Sequence, residues 1–214
     1  MVSRGPPAAG RSRGGGGARG GRGQAHALEG VVASLVLLSA VVFALQMTAV
    51  TPLSASTSSQ HLENQQRESA RGILGAAAAN GSLEPAVLYW SGTAERFHGA
   101  SDQGYYTSGA PETAFGRMLG RSFDRGGVAY NVRLSFADGS GGQEEIAMVY
   151  QGEPSDNAVS ATRTVVLLDD AQLLDAGGEP RGETVRESSR FYAPDADSGS
   201  VYNVIRVEVV VWRI

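Results

Sequence analysis

A run of 21 residues without a charge, 30–50, constrains this chain more than any other feature. At ~1.5 Å rise per residue, a helix of that length reaches across the roughly 30 Å hydrocarbon core of a bilayer. The run reads as a transmembrane helix over 24–50, with membrane lipid as its partner. Everything before it is an arginine-rich tail, and the remainder of the chain reads as one soluble domain of sufficient length for a real core.

Charge divides the chain at the same place. All 18 basic residues are Arg, and five of them stand in the first 22 positions, whereas all 22 acids lie from Glu29 onward. From Thr51, 13 Arg against 21 Asp and Glu leave −8, so the outer part is acidic and a poor partner for nucleic acid. The tail 1–23 holds nine Gly and five Arg with little apolar surface to bury. It reads as a disordered cytoplasmic tail or leader. Basic residues flank the span on this side only, and the opposite flank has none until Arg67. That bias holds the N-terminus in the cytoplasm and places the C-terminal part outside the cell membrane, in a single pass. No Cys is present, which excludes disulfides and thiolate metal sites.

Arg22-Gly23-Gln24, a polar step containing Glu29, and then the apolar run resemble the class III signal peptide of archaeal type IV pilins and pilin-like proteins. The longer stretch, with Thr51-Pro-Leu-Ser-Ala-Ser-Thr57, looks like an uncharacterised haloarchaeal family of pilin-like membrane proteins. The resemblance covers about residues 22–70. It implies cleavage by a prepilin peptidase after Gly23, leaving Gln24 as the new N-terminus. It further implies an assembly role for Glu29 toward other pilin-like subunits. The family places its acid fifth after the cut, and here it stands sixth. An uncleaved anchor and an ordinary secretory signal remain the competing readings of the same run.

Beyond the span, Pro52 is expected to interrupt the helix. An amphipathic stalk helix over 51–81 comes next, with Leu62, Ala70, Ile73, Leu74 and Ala77 near one face and Asn80-Gly81 as its cap. Asn80-Gly81-Ser82 is also an acceptor for N-glycosylation. Residues 82–214 read as an extracellular, mainly antiparallel β-rich domain with one short helix. Ala86-Val-Leu-Tyr-Trp90 is expected as a strand and 111–123 as the helix. Val128, Tyr130, Val132, Leu134 and Phe136 alternate on a second strand; Ile146, Met148 and Tyr150 return on a third. Thr162 to Leu168 continue an antiparallel meander. Ile205, Val207, Val209 and Val211 alternate with Arg206 and Glu208, which predicts a central or near-central strand at the C-terminus. The fold class is α+β.

No catalytic residues, metal ligands or cofactor are expected. His61 and His98 lack spaced partners for zinc, and no nucleophile elbow is present. Asp195-Ala-Asp197-Ser-Gly199 opens like a calcium loop, but Arg206 stands where a bidentate Glu is needed. Two functions fit: a non-enzymatic pilin-like surface subunit, or a membrane-anchored extracellular binding module that does not polymerise. The charge bias gives a direct test of orientation. A reporter fused after Ile214 is expected to be active outside the cell, and activity in the cytoplasm would overturn the assigned topology.

Overall fold

The computed structural model describes residues 20–124 and 126–214, and the side chains of these except at 20–25 and 47–59. The expected tail therefore lies almost wholly outside the described residues. The chain divides into two compact units, Met1–Ser56 and Thr57–Ile214.

Helix α1, Gly20–Ala79, remains helical through Pro52, in place of the expected break. Proline removes only one bond of the ladder, and the helical turns on either side keep theirs. The helix stops where the sequence places its cap. Gly81 adopts φ 70°, its N–H donates to the Ala78 carbonyl at 3.3 Å, and the Ser82 N–H donates to Ala77 at 2.9 Å. This is the paired 5→2 and 6→1 arrangement that satisfies the last carbonyls, and a residue with a Cβ is strained at Gly81.

A five-residue helix, α2, Leu83–Val87, comes immediately after and corrects the expected strand over 86–90. Pro85 falls in its first turn, where the missing N–H costs nothing, and Leu83, Ala86 and Val87 are all buried. Only Trp90–Ser91 is extended, as β1, which pairs with β2, Arg96–Phe97. Helix α3, Ala114–Phe123, starts later than the expected 111. Thr113 caps it by accepting the Gly116 N–H at 3.1 Å. A Cβ on Gly116 would stand 1.9 Å from the Pro111 carbonyl oxygen, so only glycine lets the entering chain cross there.

The strands β3, Val128–Ala137, β4, Gln143–Tyr150, β5, Val159–Leu168, and β8, Val201–Arg213, form one sheet in the order β4-β3-β8-β5, with every neighbour antiparallel. Between β5 and β8 lies a hairpin of β6, Gln172–Leu174, and β7, Pro180–Thr184. The expected meander holds for β3 and β4 only. β5 pairs with the C-terminal strand instead of β4, and the free edge of β4 is met at one end by Tyr106. Its N–H donates to Met148 at 3.0 Å, and its carbonyl accepts from Tyr150 at 2.8 Å. β8 is central, as its alternation predicts.

One face of the sheet is packed. Ile205, Val207, Val209 and Val211 of β8, with Tyr130, Val132 and Leu134 of β3, are fully buried. They join one cluster with Ala70, Ile73, Leu74 and Ala77 of α1 and Phe115, Leu119 and Phe123 of α3. Burying each aliphatic side chain contributes about 1.5–3 kcal/mol. At one end of the core, Trp90 meets Phe97 and Tyr192 edge-on, with centroids 5.1 and 5.2 Å apart, and its Nε1 donates to the Arg190 carbonyl at 2.8 Å.

Register and burial make two predictions. Val207→Asp leaves an unpaired charge in the core and should cost more than about 3 kcal/mol, whereas the partly exposed Glu208→Lys should stay within about 0.5 kcal/mol in a denaturant titration. Equal losses would refute the register. Burial also raises the phenols of Tyr89, Tyr106, Tyr130 and Tyr192, and pushes Tyr202 up to about 12. Phenols in the unfolded chain titrate near about 10, so this stabilisation is complete below that pH and is lost as pH rises through the raised values. Phenolate absorbance should therefore lag beyond pH ~10 and appear together with loss of the β-sheet dichroism. Smooth titration of every tyrosine near that pH in a folded chain would contradict it.

Candidate membrane anchor and outer surface

The segment His26–Gln46 of α1 is a 21-residue stretch long and apolar enough to cross a membrane, and none of it is buried within the chain. Leu35, Leu37, Leu38 and Phe43 are 59%, 67%, 62% and 62% exposed. A helix of this length with apolar side chains exposed along it is compatible with a transmembrane anchor. The two serines in the stretch do not oppose this. Ser34 donates to the carbonyls of Gly30 and Val31 at 2.8 and 2.9 Å, and Ser39 donates to Leu35 at 2.8 Å, so each hydroxyl is satisfied within the helix.

Glu29 lies one turn inside this stretch, with its carboxylate 3.6 Å from His26 Nδ1, one turn back on the same face. Both side chains are about four-fifths exposed, so the contact carries little energy and leaves the carboxylate open to a partner. Arg22, Gly23 and Gln24 are helical in backbone, but their side chains lie outside the described residues. They are thus not brought together with Glu29 in any described contact.

Asn80 is exposed just past the end of α1. Its Oδ1 accepts the Ser82 N–H at 3.0 Å, and the Ser82 hydroxyl is buried and donates to the Ala77 carbonyl at 3.4 Å. The two polar groups of the acceptor motif are therefore both engaged in ending the helix.

The histidines are accounted for without a ligand. His61 is exposed, and His98 Nε2 lies 3.0 Å from the Leu174 carbonyl. That oxygen can only accept, so Nε2 carries the proton and donates, while the ring packs 5.0 Å from Tyr89. Among the described residues no three His, Asp or Glu side chains converge as a metal site. The 195–199 segment is a turn: the Ala196 N–H donates to Tyr202 at 2.8 Å, and the Asp197 N–H to the Asp195 carboxylate at 3.4 Å. Tyr106 is buried, with its hydroxyl donating to the His98 carbonyl, so of the Tyr105-Tyr106 pair only Tyr105 meets solvent.

What the alternation along single strands does not display is the second face of the sheet. Arg206 of β8 and Thr162 and Thr164 of β5 are exposed there, with Arg133 and Ser135 of β3 and Glu208 of β8 half-buried. Val166, Leu168 and Val204 are 51%, 47% and 48% exposed at one corner. Beyond Val210 the face closes, because Asn131 is fully buried: its Oδ1 accepts the Gln151 N–H at 2.8 Å and its Nδ2 donates to the Gly152 carbonyl at 2.9 Å.

The model of a family of unknown function, DUF7288, matches residues 22–211, so that the chain belongs to this family. No curated protein matches it. No solved structure matches it either.

Proposed function

We propose that this member of DUF7288 is a non-enzymatic, single-span protein of the cell surface, with its N-terminus in the cytoplasm and the sheet domain outside. The observation that carries the reading is the wholly exposed apolar segment of α1, preceded by arginines and succeeded by an acidic domain. Within that class we favour a pilin-like subunit, a minor pilin or pseudopilin, cut by a prepilin peptidase between Gly23 and Gln24. An acid one turn inside a span costs less than the ~2.5–3.5 kcal/mol of the membrane centre, but it still costs, and pairing with a cation of a neighbouring chain offsets that. The exposed Glu29 carboxylate supports this role. The second reading, an anchored binding module that does not polymerise, is favoured by the open sheet face, which needs no processing to be displayed.

One comparison separates them. Mature protein should begin at Gln24, and Glu29→Gln should leave insertion and cleavage intact while lowering recovery of the protein in sheared filaments or cross-linked assemblies. An intact N-terminus, or a variant that assembles like the parent, favours the anchored module.

A further inference from the structure

The outward positions of β8 read Val204, Arg206, Glu208, Val210, an apolar–positive–negative–apolar series on a strand at the centre of the sheet. Such a series is its own complement when reversed. If a second copy lies face to face with its β8 antiparallel and the two-fold axis passes at Val207, Val204 meets Val210 of the other copy and Arg206 meets Glu208, twice over. The neighbouring strands obey the same operation. In the observed register Leu134 and Ile146 stand level with Val207, so Arg133 is set opposite Ser135, and Glu145 opposite Ala147. On β5, Thr162 is set opposite Thr164 across the level of Arg163. No two like charges are opposed on any of the four strands.

We propose that the open face of this sheet is a homodimer interface, with a second copy of the chain as its occupant, stacked as an aligned sandwich about 10 Å apart. Charge selects the occupant. The domain from Thr51 carries 13 Arg against 21 acids, whereas this face holds Arg133 and Arg206 against Glu145 and Glu208 and is neutral. It is a place where two acidic domains approach without repulsion. The sheet edges offer no such route. Arg163 faces inward yet is exposed on edge strand β5, a device that blocks edge-to-edge pairing, and Tyr106 occupies part of the β4 edge.

Four strands by seven residues give a footprint of roughly 19 by 24 Å, about 450 Å² per copy. That is below the ~800 Å² per partner of a standard stable complex, so the contact depends on the high local concentration of chains that share one membrane. The inference does not rest on cleavage or on Glu29, and it holds equally for an uncleaved anchor.

The chain has no cysteine of its own, which makes single thiols clean probes. Full-length chains carrying Val204→Cys and Val210→Cys, differently tagged, are reconstituted together in lipid vesicles and treated with a short thiol cross-linker. The mixed pair should cross-link strongly. Each variant alone should cross-link poorly, because like positions then lie about 20 Å apart. Adding Arg206→Glu to both chains should lower the mixed yield about fivefold, as should Glu208→Arg in both, and Arg206→Glu in one with Glu208→Arg in the other should restore it. Unchanged thermal unfolding of the charge variants shows that the domain is intact. Equal yields in all combinations, or Val204→Cys alone matching the mixed pair, would overturn the interface.

Discussion

The outer domain depends on one strand that must be satisfied on three sides at once. β8 hydrogen-bonds along both edges, to β3 over Val128 to Ser135 and to β5 over Val159 to Leu168, and buries Ile205, Val207, Val209 and Val211 completely. Because a strand has a period of two, a slip of one residue would turn these four to solvent and drive Arg206 and Glu208 into the core. The hydrophobic term and the desolvation penalty therefore fix the same register. Strands β3 and β5 are placed by that register, and the helices are placed by the apolar face it creates. Asn203 helps to hold the start of the strand: its Oδ1 accepts the Ala137 N–H at 3.2 Å, and its Nδ2 donates to Ala137 and Pro194 carbonyls at 2.9 and 2.8 Å.

Helix α1 meets a different requirement in each of its halves. From His26 to Gln46 the side chains are mostly apolar and all exposed, which is compatible with a membrane anchor, and its serines turn back on carbonyls of the same helix. Past residue 60 only one stripe is buried, Ala70, Ile73, Leu74 and Ala77, at the i, i+3, i+4, i+7 spacing of a helix lying on a core. The other side carries exposed groups such as Arg71, paired with Glu68 at 2.8 Å.

These features are legible in the sequence because each has a local signal. The apolar run shows in its length and lack of charge, the end of α1 in Asn80-Gly81, and the buried stripe of α1 and the alternation of β3 and β8 in their spacing. The features that escape are aperiodic. Ala86-Val-Leu-Tyr-Trp90 is buried throughout, so its apolar character does not separate strand from helix; the deciding residue is Pro85, which suits a first helical turn. The place of β5 beside β8 is equally invisible, since strand order depends on pairings between residues far apart in the chain. Of the candidate site residues, Glu29 stands out as the lone acid at the start of an uncharged run. The reversed complement of Val204 through Val210 is present in the sequence, where alternation alone marks it only as a wet face. Its meaning requires knowing that no second layer of the described residues covers it.

Charge in this chain works mainly by where it is missing or balanced. The surface ion pairs, Arg96 with Asp102 at 2.6 Å, Arg133 with Glu145 at 3.8 Å and Arg181 with Glu183 at 3.8 Å, are solvated and each contribute little to stability. Among the described residues no hydrogen-bond partner reaches the buried Oδ1 of Asp169, while its other oxygen meets Arg186. At a distance the net acidity of the domain repels its own kind, but beyond roughly 8 Å at physiological salt that repulsion is largely screened. What remains decisive is the short range, where pairs are partly desolvated and sign matters most. A face that places opposite charges on successive outward positions of one central strand is attractive to its reversed copy only in one register, so the same alternation that fixes β8 in its sheet also specifies how two sheets meet.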